Sequence, residues 1–133
     1  MSGVFSMTIM ATPADIDIMG HVNNAVWVQW MEAIATAHWQ ALAPAEAQRL
    51  YGWVVTRHEI DYRGNVGAGE MVTARSWVPD PPRGARFDRI VEFSGADGRV
   101  RVAARTTWAM IALESHRLMR VPPGLADLFV LPA

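Results

Sequence analysis

Two aspartates, a glycine, a histidine and two asparagines fall within ten residues, Asp15-Ile16-Asp17-Ile18-Met19-Gly20-His21-Val22-Asn23-Asn24. They stand directly before a long apolar stretch that reads as a helix. A helix start presents unpaired N–H groups and a partial positive charge. A carboxylate held beside such an end can attack a carbonyl, or activate a water to do so. The N–H groups then stabilise the oxygen that gains charge.

Each of these residues also has a plainer use. Asp15 and Asp17 are both suited to turns and caps before a helix, and Asn23 and Asn24 are good N-cap types. Gly20 permits a positive φ or a close approach of substrate. His21 could ligate a metal, act as a general acid or order the loop. A second and third ligand at usable spacing are missing, which leaves a hydrogen bond from His21 to the loop or to Asp17 as the expectation. Glu32, the only acid of the helix, is either a solvated residue or a second carboxylate for activating water. His58 and Tyr62 alternate onto one strand face with Thr56 and Ile60, in the core or on a pocket wall. Arg75, Arg101 and Arg105 could pair with phosphate or stand as solvated charges. No glycine-rich phosphate loop is present.

The elements that must position these groups follow from pattern. Residues 3–11 read as a strand, with Phe5, Met7 and Ile9 on one face, ended by Thr12-Pro13. Residues 25–42 read as a helix whose polar positions Gln29, Glu32, Thr36 and Gln40 form one narrow stripe. Apart from His38 the remainder is apolar, so the helix is expected to be buried on most sides. Strands are expected over 52–63, 69–78, 86–94 and 99–112. Pro79 to Gly84 forms a rigid connection, and Gly95-Ala96-Asp97-Gly98 a hairpin turn. A short helix is expected near 124–129. One helix followed by four strands in hairpin succession implies a mainly antiparallel sheet.

The 133 residues fit one domain, 1–133. Charged residues make up only 19% against 51% hydrophobic, which points to apolar surface covered by a partner subunit. A net charge of −1 gives no case for nucleic acid or an anionic membrane. All 12 basic residues are arginine, a pattern that codon usage explains. The absence of cysteine excludes disulfides, thiolate nucleophiles and cysteine metal sites. No signal peptide and no spanning run are read, so a cytoplasmic protein is expected.

The string D-x-D-x-x-G-H-V-N-N, followed by Trp27 and then Glu32, resembles that of the hotdog-fold acyl-CoA thioesterases, most closely the 4-hydroxybenzoyl-CoA thioesterase-like branch. The order of elements, the His58-Glu59-Ile60-Asp61-Tyr62 strand and Gly69-Glu70 opening the next strand extend the resemblance over nearly the whole chain. It implies an α+β hotdog fold, an antiparallel five-stranded sheet wrapped around one long central helix. It also implies hydrolysis of an acyl-CoA to free acid and coenzyme A, without metal or organic cofactor. Asp17 matches the catalytic carboxylate, acting as nucleophile or as base for a water. The backbone N–H at Asn24 matches the oxyanion donor, and His21 orders the loop. Gly20, Trp27, His58 and Tyr62 fall where substrate would bind. Trp27 replaces the usual tyrosine, keeping an aromatic wall and losing a hydroxyl. A homodimer or homotetramer, with the site between subunits, is implied. The alternatives are an acyl-ACP thioesterase, a hotdog enoyl-thioester hydratase or dehydratase with a differently placed acid–base pair, and a non-catalytic acyl-CoA-binding module.

Overall fold

The computed structural model describes residues 3–131, so two residues at each end of the expected domain lie outside it. Five strands form one antiparallel sheet: β1 (Phe5–Met10), β2 (Tyr51–Tyr62), β3 (Met71–Trp77), β4 (Arg86–Ser94) and β5 (Val100–Ala112). Their order across the sheet is β1-β3-β4-β5-β2. The long helix α1 (Asn24–Leu42) precedes β2, followed at once by a short helix α2 (Ala45–Leu50); α3 (Pro123–Ala126) closes the described chain. This is the hotdog layout. The strands agree with the sequence pattern to within two residues at each end, and β4 coincides with it.

Helix α1 begins where Asn23 caps it, its side chain accepting the Ala25 N–H at 2.8 Å. It stops ahead of Pro44, which cannot continue a helix. The Gln48 side chain then donates to the Ala43 carbonyl at 2.9 Å, closing the helix end. α2, which contributes only Ala47 to the core, was not expected, because so short a segment has no hydrophobic period to read.

α1 buries Trp27, Met31, Ile34, Ala35 and His38, a spacing that keeps one face toward the sheet. Gln29, Glu32, Thr36 and Gln40 are all exposed, so the polar stripe is where the sequence puts it. The expectation of burial on most sides does not hold within one chain. Ala25, Ala33 and Ala41 are also exposed, because the sheet covers one side of the helix only.

The core has two parts. The first lies under the N-terminal half of α1 and holds Val22, Trp27, Met31, Ile34, Val72, Val91, Phe93 and Val102. The second lies under its C-terminal half, with Ala35, Val78, Phe87, Trp108, Met110, Leu125 and Phe129. β2 pairs only with β5, and its register shifts between Val55 and Arg57. That bulge takes Thr56 off the face shared by His58, Ile60 and Tyr62. Its hydroxyl instead donates to the Thr107 carbonyl at 3.3 Å.

Candidate active site

The motif loop closes on itself. An isolated antiparallel bridge joins Ile16 to Val22. Between them the Asp17 N–H donates to the His21 carbonyl at 2.8 Å, and the Gly20 N–H to the Asp17 carbonyl at 3.1 Å. Gly20 has φ +79°, the left-handed geometry for which the sequence supplies glycine. Asp17 Oδ1 accepts the Met19 N–H at 2.9 Å and the His21 N–H at 3.3 Å. One oxygen of this carboxylate thus tethers the loop, while Oδ2 accepts no hydrogen bond from the described residues. Asp15 holds the preceding turn: its Oδ2 accepts from the N–H and the hydroxyl of Thr12, at 2.9 and 3.0 Å.

The first turn of α1 is nearly, but not fully, satisfied. The Ala25 N–H goes to the Asn23 side chain. Those of Val26 and Trp27 reach the Asn23 carbonyl at 2.9 and 3.4 Å. The Asn24 N–H has no partner among the described residues. It is the one first-turn donor left for a ligand, at the positive end of the helix. Tyr62 stands beside it, its hydroxyl donating to the Asn24 carbonyl at 3.4 Å.

The structure brings Asp17, Gly20, His21, Asn24 and Tyr62 together at one end of the helix. The His21 ring is exposed and makes no hydrogen bond to a described residue. It is the His21 backbone N–H, not its ring, that donates to Asp17. His58 lies four residues from Tyr62, roughly 13 Å along the strand. Its Nδ1 and the Thr106 hydroxyl are 2.8 Å apart. Trp27 is fully buried, packed on Trp30 and Phe93 at ring separations of 5.1 and 5.2 Å. Its indole is core in this chain, not an open wall. Glu32 is exposed on the polar stripe.

The three arginines considered for phosphate have internal partners. Arg101 pairs with Asp97 at 3.0 Å, and its Nε donates to the Asn65 carbonyl at 3.1 Å. Arg105 Nε donates to Asp88 Oδ2 at 2.9 Å, and Arg75 lies over the Trp77 ring at 5.6 Å. Burial pushes the Asp88 carboxyl up, but hydrogen bonds from Thr107, Arg83 and Arg105 outweigh it, so its pKa falls below the usual value.

Two groups escaped the sequence reading. Asn65, in the connection from β2 to β3, accepts the Val22 and Val66 N–H groups through Oδ1, both at 2.9 Å. It ties the motif loop to the sheet. The glycine-rich run Gly64-Asn65-Val66-Gly67 was its only signal. The second is Arg89, buried on the inner face of β4. Its Nη1 donates to His38 Nδ1 at 2.7 Å and to the Ser76 hydroxyl at 2.9 Å. Strict alternation along Phe87, Arg89, Val91 and Phe93 places it on the apolar face, a signal that was available. Burial first, and the Arg89 charge second, lower the His38 pKa to about 4, so His38 is neutral near pH 7.

A family model described as the thioesterase-like superfamily matches residues 11–129. The chain belongs to that superfamily. The thioesterase-like match takes in the motif loop, α1 and all of β2 to β5. No curated protein matches the sequence. Among solved structures, an acyl-ACP thioesterase from Bacteroides thetaiotaomicron superposes with TM-score 0.82 at 21% identity, covering 98% of this chain and 55% of that one. This chain therefore spans about half the length of that relative. A 1,4-dihydroxy-2-naphthoyl-CoA thioesterase from Synechocystis gives TM-score 0.79 at 17% identity, covering 96% of each chain. A Thermus thermophilus thioesterase complexed with coenzyme A and zinc gives 0.79 at 21%, covering 93% of this chain and 95% of that one. These likenesses establish the hotdog fold. Among the described residues no three His, Asp or Glu side chains gather as a metal-binding group, and no helix is long and apolar enough to cross a membrane.

Proposed function

We propose that this thioesterase-like protein hydrolyses an acyl-CoA to a free acid and coenzyme A at the start of α1. The observation that carries the reading is the unpartnered Asn24 N–H at a capped helix start, on the same loop as a carboxylate with one free oxygen. In this reading the thioester oxygen accepts from the Asn24 N–H, which polarises the carbonyl. Asp17 Oδ2 then either attacks the carbonyl carbon or takes a proton from an attacking water. The C–S bond breaks and the thiolate leaves and is protonated; one water supplies the hydroxyl of the acid, directly in the general-base route or by cleaving the acyl–Asp17 anhydride in the nucleophilic one. An oxyanion donor of this kind contributes about 3 kcal/mol to the transition state. Tyr62 borders the site. Gly20 shapes the loop, and His21 closes it through its backbone.

The coenzyme A-bound and naphthoyl-CoA relatives support the choice of carrier. A homodimer or homotetramer is part of the proposal. β2 is a 12-residue edge strand with one side unpaired among the described residues, and Ile18 and Met19 at the loop tip are strongly exposed. The test is release of free thiol from a panel of short, medium, long and aromatic acyl-CoAs, with acyl-ACP as a second carrier. Turnover of at least one acyl-CoA in the presence of chelator is expected. No turnover across the panel overturns the reading in favour of a binding module.

A further inference from the structure

The C-terminal half of α1 covers a cavity of about 210 Å³. Thr36, Trp39, Trp53, Phe87, Trp108 and Phe129 are prominent in its wall, with Arg89 the one charged residue. The cavity is remote from the motif loop. Thr36 lies twelve residues along α1 from Asn24, roughly 18 Å at the helical rise.

Arg89 is out of place in such a wall. It is only 3% exposed, and no acidic side chain pairs with it among the described residues. Burial lowers its pKa to about 10, which leaves it cationic at neutral pH. Its two bonds, to His38 and Ser76, both leave from Nη1 and end on neutral acceptors. Its Nε is buried with no partner among the described residues. A buried cation without a counter-charge is costly unless an anion is supplied from elsewhere.

A second orphan donor lines the same cavity. Trp108 Nε1 is also buried without a partner among the described residues. Trp108 pairs across the sheet with Phe87, and Arg89 with Thr106. The two donors therefore sit on diagonal positions of adjacent strands, roughly 7–8 Å apart at the backbone and within reach for long side chains. Both lack an acceptor, and one is charged. Apolar cavities of about 150 Å³ accommodate benzene, so this one has room for a ring or a medium aliphatic chain with a carboxylate.

We propose that this cavity binds an apolar monocarboxylate group, its oxygens on Arg89 and Trp108 Nε1 and its body between Trp39, Trp53 and Phe129. The site stands independently of the chemistry proposed at the motif loop. The source is a free aromatic or medium-chain acid, because a medium-chain dicarboxylic acyl thioester is too short to span the roughly 18 Å from Asn24.

The experiment titrates the purified chain by calorimetry with octanoate and phenylacetate, and with octanamide and phenylacetamide as uncharged bodies of the same shape. The free-acid source predicts that a carboxylate binds at least about 10-fold tighter than its amide. Arg89→Met should abolish that preference. That result supports the site. Carboxylate and amide binding alike or not at all at millimolar concentration overturns it. So does a preference that survives in a folded Arg89→Met. Because the carboxylate–amide comparison is made on the wild-type chain, failure of the variant to fold leaves the test intact.

Discussion

Lowering the pH from 7.5 to 5 should destabilise this protein, and the cause should be one residue. His38 is buried against Arg89 Nη1 at 2.7 Å. Phe5 stacks on its ring at 5.0 Å, and Phe129 meets it edge-on at 5.1 Å. Protonating it would place two cations in contact within the core. Its pKa is about 4 in the folded protein against 6.5 as the ordinary value. The unfolded chain therefore binds more protons throughout that window, and stability falls as pH falls from above 6.5 toward 4. Between pH 7.5 and pH 5 the linkage integral gives a loss of about 2 kcal/mol. Asp88, whose pKa is lowered from 3.8, loses its contribution only at still lower pH and leaves this window clear. The assay is urea denaturation at half-unit steps of pH from 7.5 to 5, on wild type and on His38→Gln. Glutamine keeps a hydrogen-bond acceptor for Arg89 but does not titrate. The wild-type free energy should drop across the window, and the variant should be nearly flat. A flat wild-type profile, or equal slopes in the two proteins, would refute the claim that a neutral His38 is locked beside Arg89.

Asp17→Asn should lower kcat at least about 100-fold with little change in KM or melting temperature, whereas Asp15→Asn should act mainly on the turn it holds with Thr12; steady-state kinetics beside thermal melts separate the two, and near wild-type kcat in Asp17→Asn would reassign the carboxylate. Trp27→Ala, at a fully buried indole, should cost about 3–5 kcal/mol in denaturant unfolding. A value near zero would put Trp27 outside the core. Light scattering at micromolar concentration should report at least a dimer of the 14.7 kDa chain, and a monomer would remove the unpaired β2 edge as an interface.

Local order was readable because each signal is local. The extents of β4 and β5, the cap types at Asn23 and Asn24 and the turn at Gly95 to Gly98 each depend on a few neighbouring residues. The motif loop was legible for the same reason: glycine at a positive φ and aspartate bonding N–H groups two and four residues on are short-range geometry. The division of labour within the loop was less so. That Asp17 tethers with one oxygen, and that His21 contributes its backbone, depends on how the loop closes.

What only the tertiary structure decided involves partners far apart in the chain. Asn65 reaches Val22, Tyr62 reaches Asn24, and Arg89 joins His38 to Ser76. No periodicity in one segment encodes a bond to another. The bulge after Val55, which turns Thr56 off the inner face, likewise arises from pairing with β5. The same holds for the cavity. Trp39, Trp53 and Trp108 are three unremarkable aromatic residues in sequence. They become the walls of one apolar chamber around a buried cation only when α1 is laid across the sheet.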